Sequence, residues 1–207
     1  MKRIGLFLGM LVITMYSLAF EGIIHCTKTE NGVTTSFDFF VKENRIAVIA
    51  KEGVSEFRIL LDRSAQELRL CMDVPEFEKK GYYLYTRENI RKNSEMSILK
   101  QMRSDALVID GETCEGYTVV TDNGTAIAYF GSDEVNLTGF STFLNDPVYE
   151  LLDALDSKLL PRKLVVSKGT GSYTIDLTAD AQPMDDTLFE VPSGYVQFEV
   201  IAEGISE

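Results

Sequence analysis

In Glu30-Asn31-Gly32-Val33-Thr34-Thr35-Ser36-Phe37-Asp38-Phe39-Phe40-Val41-Lys42, the side chains of Phe37, Phe39 and Val41 fall on one face and those of Ser36, Asp38 and Lys42 on the other. A period of two suits an extended strand and does not suit a helix. Asn31-Gly32, just before it, is the strongest short hairpin signal, because both residue types accept positive φ. The stretch therefore reads as the second arm of a β-hairpin whose first arm is Glu21–Thr29.

The same grammar continues outward. After the turn at Glu43-Asn44, Arg45–Lys51 places Ile46, Val48 and Ala50 on one face. Past Lys51-Glu52-Gly53, Ser55–Asp62 alternates Phe57, Ile59 and Leu61 with Glu56 and Arg58. Glu67–Met72 repeats the pattern with Leu68, Leu70 and Met72, and Gly81–Tyr85 adds an aromatic strand. Six strands are thus expected in the N-terminal half, a meander with one apolar face. In Glu88–Ser104, Ile90, Ile98, Leu99 and Met102 lie among charges at a spacing nearer to a helix. Strands resume at Gly116–Thr121 and Thr125–Phe130, flanking the turn Asp122-Asn123-Gly124.

The spacing predicts a second, stronger helix over Asp146–Leu159, where Val148, Leu151, Leu152, Leu155 and Leu159 recur at three and four residues and extend a stripe begun by Phe143 and Leu144. Asp146 can cap it, Pro147 suits its first turn, and Pro161 stops it. Arg162–Ser167 and Ser172–Ala179 form a last hairpin about Lys168-Gly169-Thr170-Gly171.

The N-terminus reads as a signal peptide. Lys2-Arg3 precedes an apolar run from Ile4 to Ile13, and small Ser17 and Ala19 occupy the positions that signal peptidase reads, so cleavage is expected after Ala19. The run is too short to span a bilayer, which takes roughly 20 residues, so no stable membrane span is expected once it is removed. Residues 20–207 then form one domain, exported to the periplasm or beyond. Removing Lys2 and Arg3 moves the net charge from −12 to −14. Such an acidic domain repels phosphate backbones, so nucleic acid is excluded as a partner.

The chemical inventory is small. His25 is the single histidine, within the first strand, and its neighbour Cys26 must point to the opposite face, so the two cannot act together. No Gly-x-Ser-x-Gly elbow, metal motif or phosphate loop is present, and Glu67 stands where a calcium loop over Asp62–Asp73 needs glycine. No enzyme activity, cofactor or metal is expected. Cys26, Cys71 and Cys114 admit one disulfide among three pairings, or three buried thiols.

Three stretches carry a resemblance. They are Phe20-Glu21-Gly22-Ile23-Ile24, then Asp110-Gly111-Glu112-Thr113-Cys114-Glu115-Gly116-Tyr117, and Leu188-Phe189-Glu190-Val191-Pro192-Ser193-Gly194-Tyr195. Their order resembles an exported bacterial family, domain of unknown function 4412, although that family usually has Gly-Tyr where Glu112-Thr113 precedes Cys114. At fold level such domains are similar to the Lol-type periplasmic lipoprotein carriers. The resemblance implies a mainly β (α+β) fold: a curved antiparallel sheet forming an unclosed half-barrel, with one or two helices packed in its concave face.

The leading expectation for function is a non-enzymatic periplasmic protein carrying or sensing a lipid or other apolar ligand. Its cavity would be lined by Phe37, Phe39, Val48, Phe57, Ile59 and Leu61 from the sheet and by Phe143, Leu144, Val148, Leu151, Leu152 and Leu155 from the helix. The same residues would equally fill a closed core. The alternative is an envelope interaction module, with Tyr82, Tyr83 and Tyr85 presenting tyrosines on both faces of one strand.

Overall fold

The computed structural model describes residues 20–52, 55–75, 79–86, 98–122, 124–135, 137, 152, 158–169 and 171–198. The expected signal peptide lies outside these residues. Twelve strands form one sheet. In chain order they are β1 (Glu21–Glu30), β2 (Val33–Lys42), β3 (Arg45–Glu52), β4 (Ser55–Asp62), β5 (Glu67–Val74), β6 (Lys79–Thr86), β7 (Ile98–Ile109), β8 (Glu112–Thr121), β9 (Gly124–Glu134), β10 (Leu159–Lys168), β11 (Gly171–Ala181) and β12 (Val196–Phe198). Their spatial order is β12-β6-β5-β4-β3-β2-β1-β11-β10-β9-β8-β7, so the sheet is unclosed, with β12 and β7 at its edges. A twisted sheet this wide curls rather than lying flat. Every pairing is antiparallel except β12 on β6.

The tight turns follow from local chemistry. Glu30 pairs with Val33 across Asn31 (φ 52°) and Gly32 (φ 78°), the two left-handed residues that a type I′ hairpin requires. Asp110 (φ 50°) and Gly111 (φ 85°) do the same between Ile109 and Glu112, so the Asp-Gly of the second resemblance stretch is itself a hairpin turn.

Two expectations fail in the same way. Of Glu88–Ser104, read as helical, residues 88–97 lie outside the described residues and Ile98–Ser104 belongs to β7, because β8 pairs with it, past a register shift at Leu99, and pairing overrides weak periodicity. The expected second helix was given Leu159 as its last residue and Pro161 as its stop. Instead Leu159 opens β10 opposite Glu134, and Pro161 sits between two register shifts, an irregularity of the kind that tolerates a missing N–H. Of the rest of that helix, Leu152 has helical backbone and is buried, while residues 146–151 and 153–157 lie outside the described residues. The one or two helices expected in the concave face are not borne out as elements among the described residues, where the elements set out are strands and the 3-10 turn Asp186–Phe189.

The sheet has two apolar faces, not one. The inner face carries Ile24, Cys26, Phe39, Val41, Ile46, Leu61, Leu164, Val166 and Leu177 in one buried cluster. The outer face of β1–β6 is covered by the chain after β11. Leu188, Phe189, Val191 and Tyr195, from the third resemblance stretch, pack with Met184 on Ala47, Leu60 and Cys71. The stretch is thus a strap, whose 3-10 turn (Asp186–Phe189) is capped by Asp185. Polar contacts hold its entry: Glu21 accepts from the Met184 N–H at 2.7 Å, Lys42 donates to the Met184 carbonyl at 2.9 Å, and Arg45 pairs with Asp186 at 2.5 Å. Beyond it, Phe198 reaches Tyr83 with ring centroids 5.2 Å apart. Gly81 makes room for this, since a Cβ there would lie 2.3 Å from the Val196 carbonyl oxygen.

The strap's grip depends on acid. Hydrogen bonds from Arg45, then Lys42, hold the Asp186 carboxyl below its ordinary value of 3.8, and the Thr187 backbone N–H does the same for Asp185. A carboxyl depressed on folding contributes stability in full above its unfolded value and loses it as pH falls through the folded one. Unfolding midpoints measured between pH 6 and pH 2 are expected to drop below about pH 4, and Asp186→Asn to shrink that drop. An equal acid dependence in the variant would show that Asp186 does not carry it.

Candidate functional site

The cross-strand register sets the inner face out in rows. One row runs Val41-Ile46-Leu61-Leu68-Tyr85, the next Phe39-Val48-Ile59-Leu70-Tyr83, and the third Ala50-Phe57-Met72-Gly81. Burial falls across them. Val41, Ile46 and Leu61 are each no more than 2% exposed, whereas Val48, Ile59, Leu70 and Tyr83 are half-buried and Ala50 is exposed.

Of the residues assigned to a cavity from sequence, Phe39 and Leu61 are buried in the inner cluster, Phe37, Val48 and Ile59 are partly buried against it, and Phe57 is half-buried on the third row. Leu152 belongs to the same cluster. Phe143, Leu144, Val148, Leu151 and Leu155 lie outside the described residues. Phe37 and Phe39 meet edge to face at 5.4 Å.

A cavity of about 350 Å³ lies at the other end of the sheet, lined by Tyr117, Phe130 and Leu159 together with Gln101, Glu112, Glu115 and Ser132. Sequence reading missed it. Its only local signal is that Glu115 stands two residues before Tyr117 and four before Val119, so an acid shares a strand face with apolar residues. Tyr117 packs edge to face on Phe130 at 5.9 Å. The Tyr117 hydroxyl donates to Glu115 Oε2 at 3.0 Å, and Arg103, from the neighbouring edge strand, donates to the same oxygen at 3.3 Å. Glu112 Oε1 accepts from the Ser132 N–H at 2.7 Å, and hydrogen bonding from the Ser132 side chain, then from its backbone, holds the Glu112 carboxyl below the usual range.

Other chemistry is sparse. His25 Nδ1 lies 2.7 Å from Asp38 Oδ1 on the solvent-facing side of β1, while Cys26 is buried in the inner cluster, so strand alternation does separate the two. All three cysteines are free and buried, which closes the disulfide alternative. Burial pushes the thiol of Cys26 up to about 12 and that of Cys71 up to about 11. Among the described residues no group of histidine, cysteine and acidic side chains has the geometry to hold a metal ion, and no helix is long and apolar enough to cross a membrane.

No protein-family model matches the chain, so membership of family 4412 is not confirmed, and no curated protein matches it. Among solved structures, PNGF-II is similar over 89% of this chain at 13% identity and a TM-score of 0.48. The chain spans about a third of PNGF-II, 31% of its length. The Mycobacterium tuberculosis lipoprotein LppX is similar over 80% of this chain and 89% of its own, at 12% identity and a TM-score of 0.40. LprF from Mycobacterium bovis is similar over 83% and 89%, at 11% identity and a TM-score of 0.37. At such scores these likenesses decide neither a fold family nor a ligand.

Proposed function

We propose that this chain is a non-enzymatic binding protein of the bacterial envelope that holds the apolar part of a lipid or similar amphiphile against the inner face of its sheet. One observation carries the reading: across β2 to β6 the inner-face rows are apolar, but their burial stops partway. A closed core would bury Val48, Phe57, Ile59, Leu70 and Met72 as completely as it buries Val41, Ile46 and Leu61. Half-buried large apolar rows beside a fully buried one leave apolar area for a ligand chain. Each methylene buried there is worth about 0.8 kcal/mol, so eight supply roughly 6 kcal/mol before ordering costs. The signal-peptide pattern of residues 1–19 supports an envelope location, and the three stretches that resemble family 4412 are part of the same reading.

The test is native mass spectrometry, with solvent extraction, of protein purified from its own envelope without detergent. Co-purifying lipid is the expected result. Phe57→Asp, on the least buried row, should weaken binding of a fluorescent fatty acid at least tenfold while circular dichroism is kept. A clean apo mass, together with no thermal shift from fatty acids or phospholipids, would sink the carrier reading.

One feature favours a second reading, an envelope interaction module. Edge strand β7 exposes Leu99 and Val108 at 65% each, with Met102 and Leu107 at 37%. An apolar open edge is a surface for another chain. Binding by a partner without any lipid would put this reading first.

A further inference from the structure

We infer that the cavity between Tyr117, Phe130 and Leu159 takes an organic ammonium group on a short apolar stem. This rests on the binding-protein reading and specifies the head of its ligand. The floor of the cavity is aromatic and aliphatic, and two carboxylates, Glu112 and Glu115, stand in its wall. A volume of about 350 Å³ is at the small end for ligand sites, enough for a head group and a few methylenes, not a whole acyl chain.

The protein already seats a cation on this wall. The Arg103 guanidinium lies 5.8 Å from the Tyr117 ring centroid and donates to Glu115 Oε2 and, at 3.4 Å, to the Tyr117 hydroxyl. A ring face, a carboxylate and a phenol oxygen are the partners that an ammonium ion selects. Arg103 holds the place loosely, because its side chain is 76% exposed on edge strand β7, and a ligand ammonium can displace it into solvent. The other nearby cation, Arg162, is committed to Asp133 at 3.3 Å and Asp110 at 3.6 Å. Glu112, Glu115, Asp110 and Asp133 therefore outnumber Arg103 and Arg162 around the cavity, a balance that disfavours an anionic head.

The experiment is calorimetric titration of the mature protein with dodecylammonium, dodecanoate and butylammonium, each below its micellar concentration. Dodecylammonium is expected to bind at least tenfold more tightly than dodecanoate. Glu112→Gln/Glu115→Gln should erase that preference with circular dichroism unchanged, and Arg103→Ala should strengthen ammonium binding. Butylammonium binding as tightly as dodecylammonium identifies a free amine as the occupant, and weaker binding an amine-headed amphiphile. Dodecanoate binding as tightly as dodecylammonium, or an ammonium preference that survives the double variant, overturns the ammonium assignment and leaves the carrier reading standing. No binding of any of the three overturns the ammonium assignment, while the carrier reading falls only with the clean apo mass and the absent phospholipid shift given above.

Discussion

Ile24→Ala is expected to cost about 4 kcal/mol of folding stability, a large share of the roughly 5–15 kcal/mol that holds a typical domain together. Ile24 is fully buried, between Phe39 on β2 and Ala179 on β11. Its strand is the seam of the sheet. Among the described residues the strand order splits into two sequential runs, β2 to β6 on one side and β11 back to β7 on the other, and β1 alone pairs with both. Backbones there approach too closely for any added side chain beside Ile24, since a Cβ at Gly22 would lie 2.2 Å from the Asp180 carbonyl oxygen. A truncation at this seam cannot be filled by a neighbouring loop, so the residual cavity stays and the upper part of the usual range applies. Urea unfolding of Ile24→Ala beside Val33→Ala, a position 67% exposed, measures the effect. Equal midpoints for the two variants would mean that β1 does not join the halves.

Phe189→Ala should cost about 3 kcal/mol and open one thiol. Phe189 is 6% exposed, lies under the Arg45 guanidinium at 5.0 Å, and with Leu188, Val191 and Tyr195 covers Cys71 on the outer face. Among the described residues the strap is what lies above it, so the loss appears first as local undocking and not as global unfolding. In the native protein Cys71 is buried with its thiol pushed up to about 11, and thiolate is the reactive form, so labelling at pH 8 is slow. In Phe189→Ala, Cys71 is expected to label at least tenfold faster. Cys26, on the inner face beyond the strap's reach, should keep its native rate. Phe189→Ala/Cys71→Ser identifies the reacting thiol. Unchanged labelling in Phe189→Ala would show that the strap does not protect this face.

How far sequence reached depended on the distance over which each structural choice is made. The inner row Phe37, Phe39 and Val41 was legible because alternation along one strand is a property of adjacent residues. Phe57, Ile59 and Leu61 were legible for the same reason, although the fall in burial from Leu61 to Phe57 was not, since it depends on what packs over each row. The cavity lined by Tyr117, Phe130 and Leu159 went unseen because it brings β8, β9 and β10 together and none of its residues forms a motif. The outer face was also hidden. Ala47 and Leu60 read as the polar side of their strands until the strap covers them.

The sequence by itself determined the strands β1 to β6 and the Asn31-Gly32 hairpin that joins the first two. Period-two alternation and the positive-φ turns at Asn31-Gly32 and Asp110-Gly111 act within a few residues, so their energetics are complete in the local chain. Only the tertiary structure decided that Ile98–Ser104 is strand, that Leu159 begins β10, that β1 meets β11 and that the chain after β11 crosses the outer face. Those outcomes are fixed by contacts such as Ile24 with Ala179 and Gly81 with Val196, between residues far apart in the chain. Long-range pairing leaves no periodic trace in either partner, because each segment needs only to be extended and apolar on the correct face, and many segments of this chain are both.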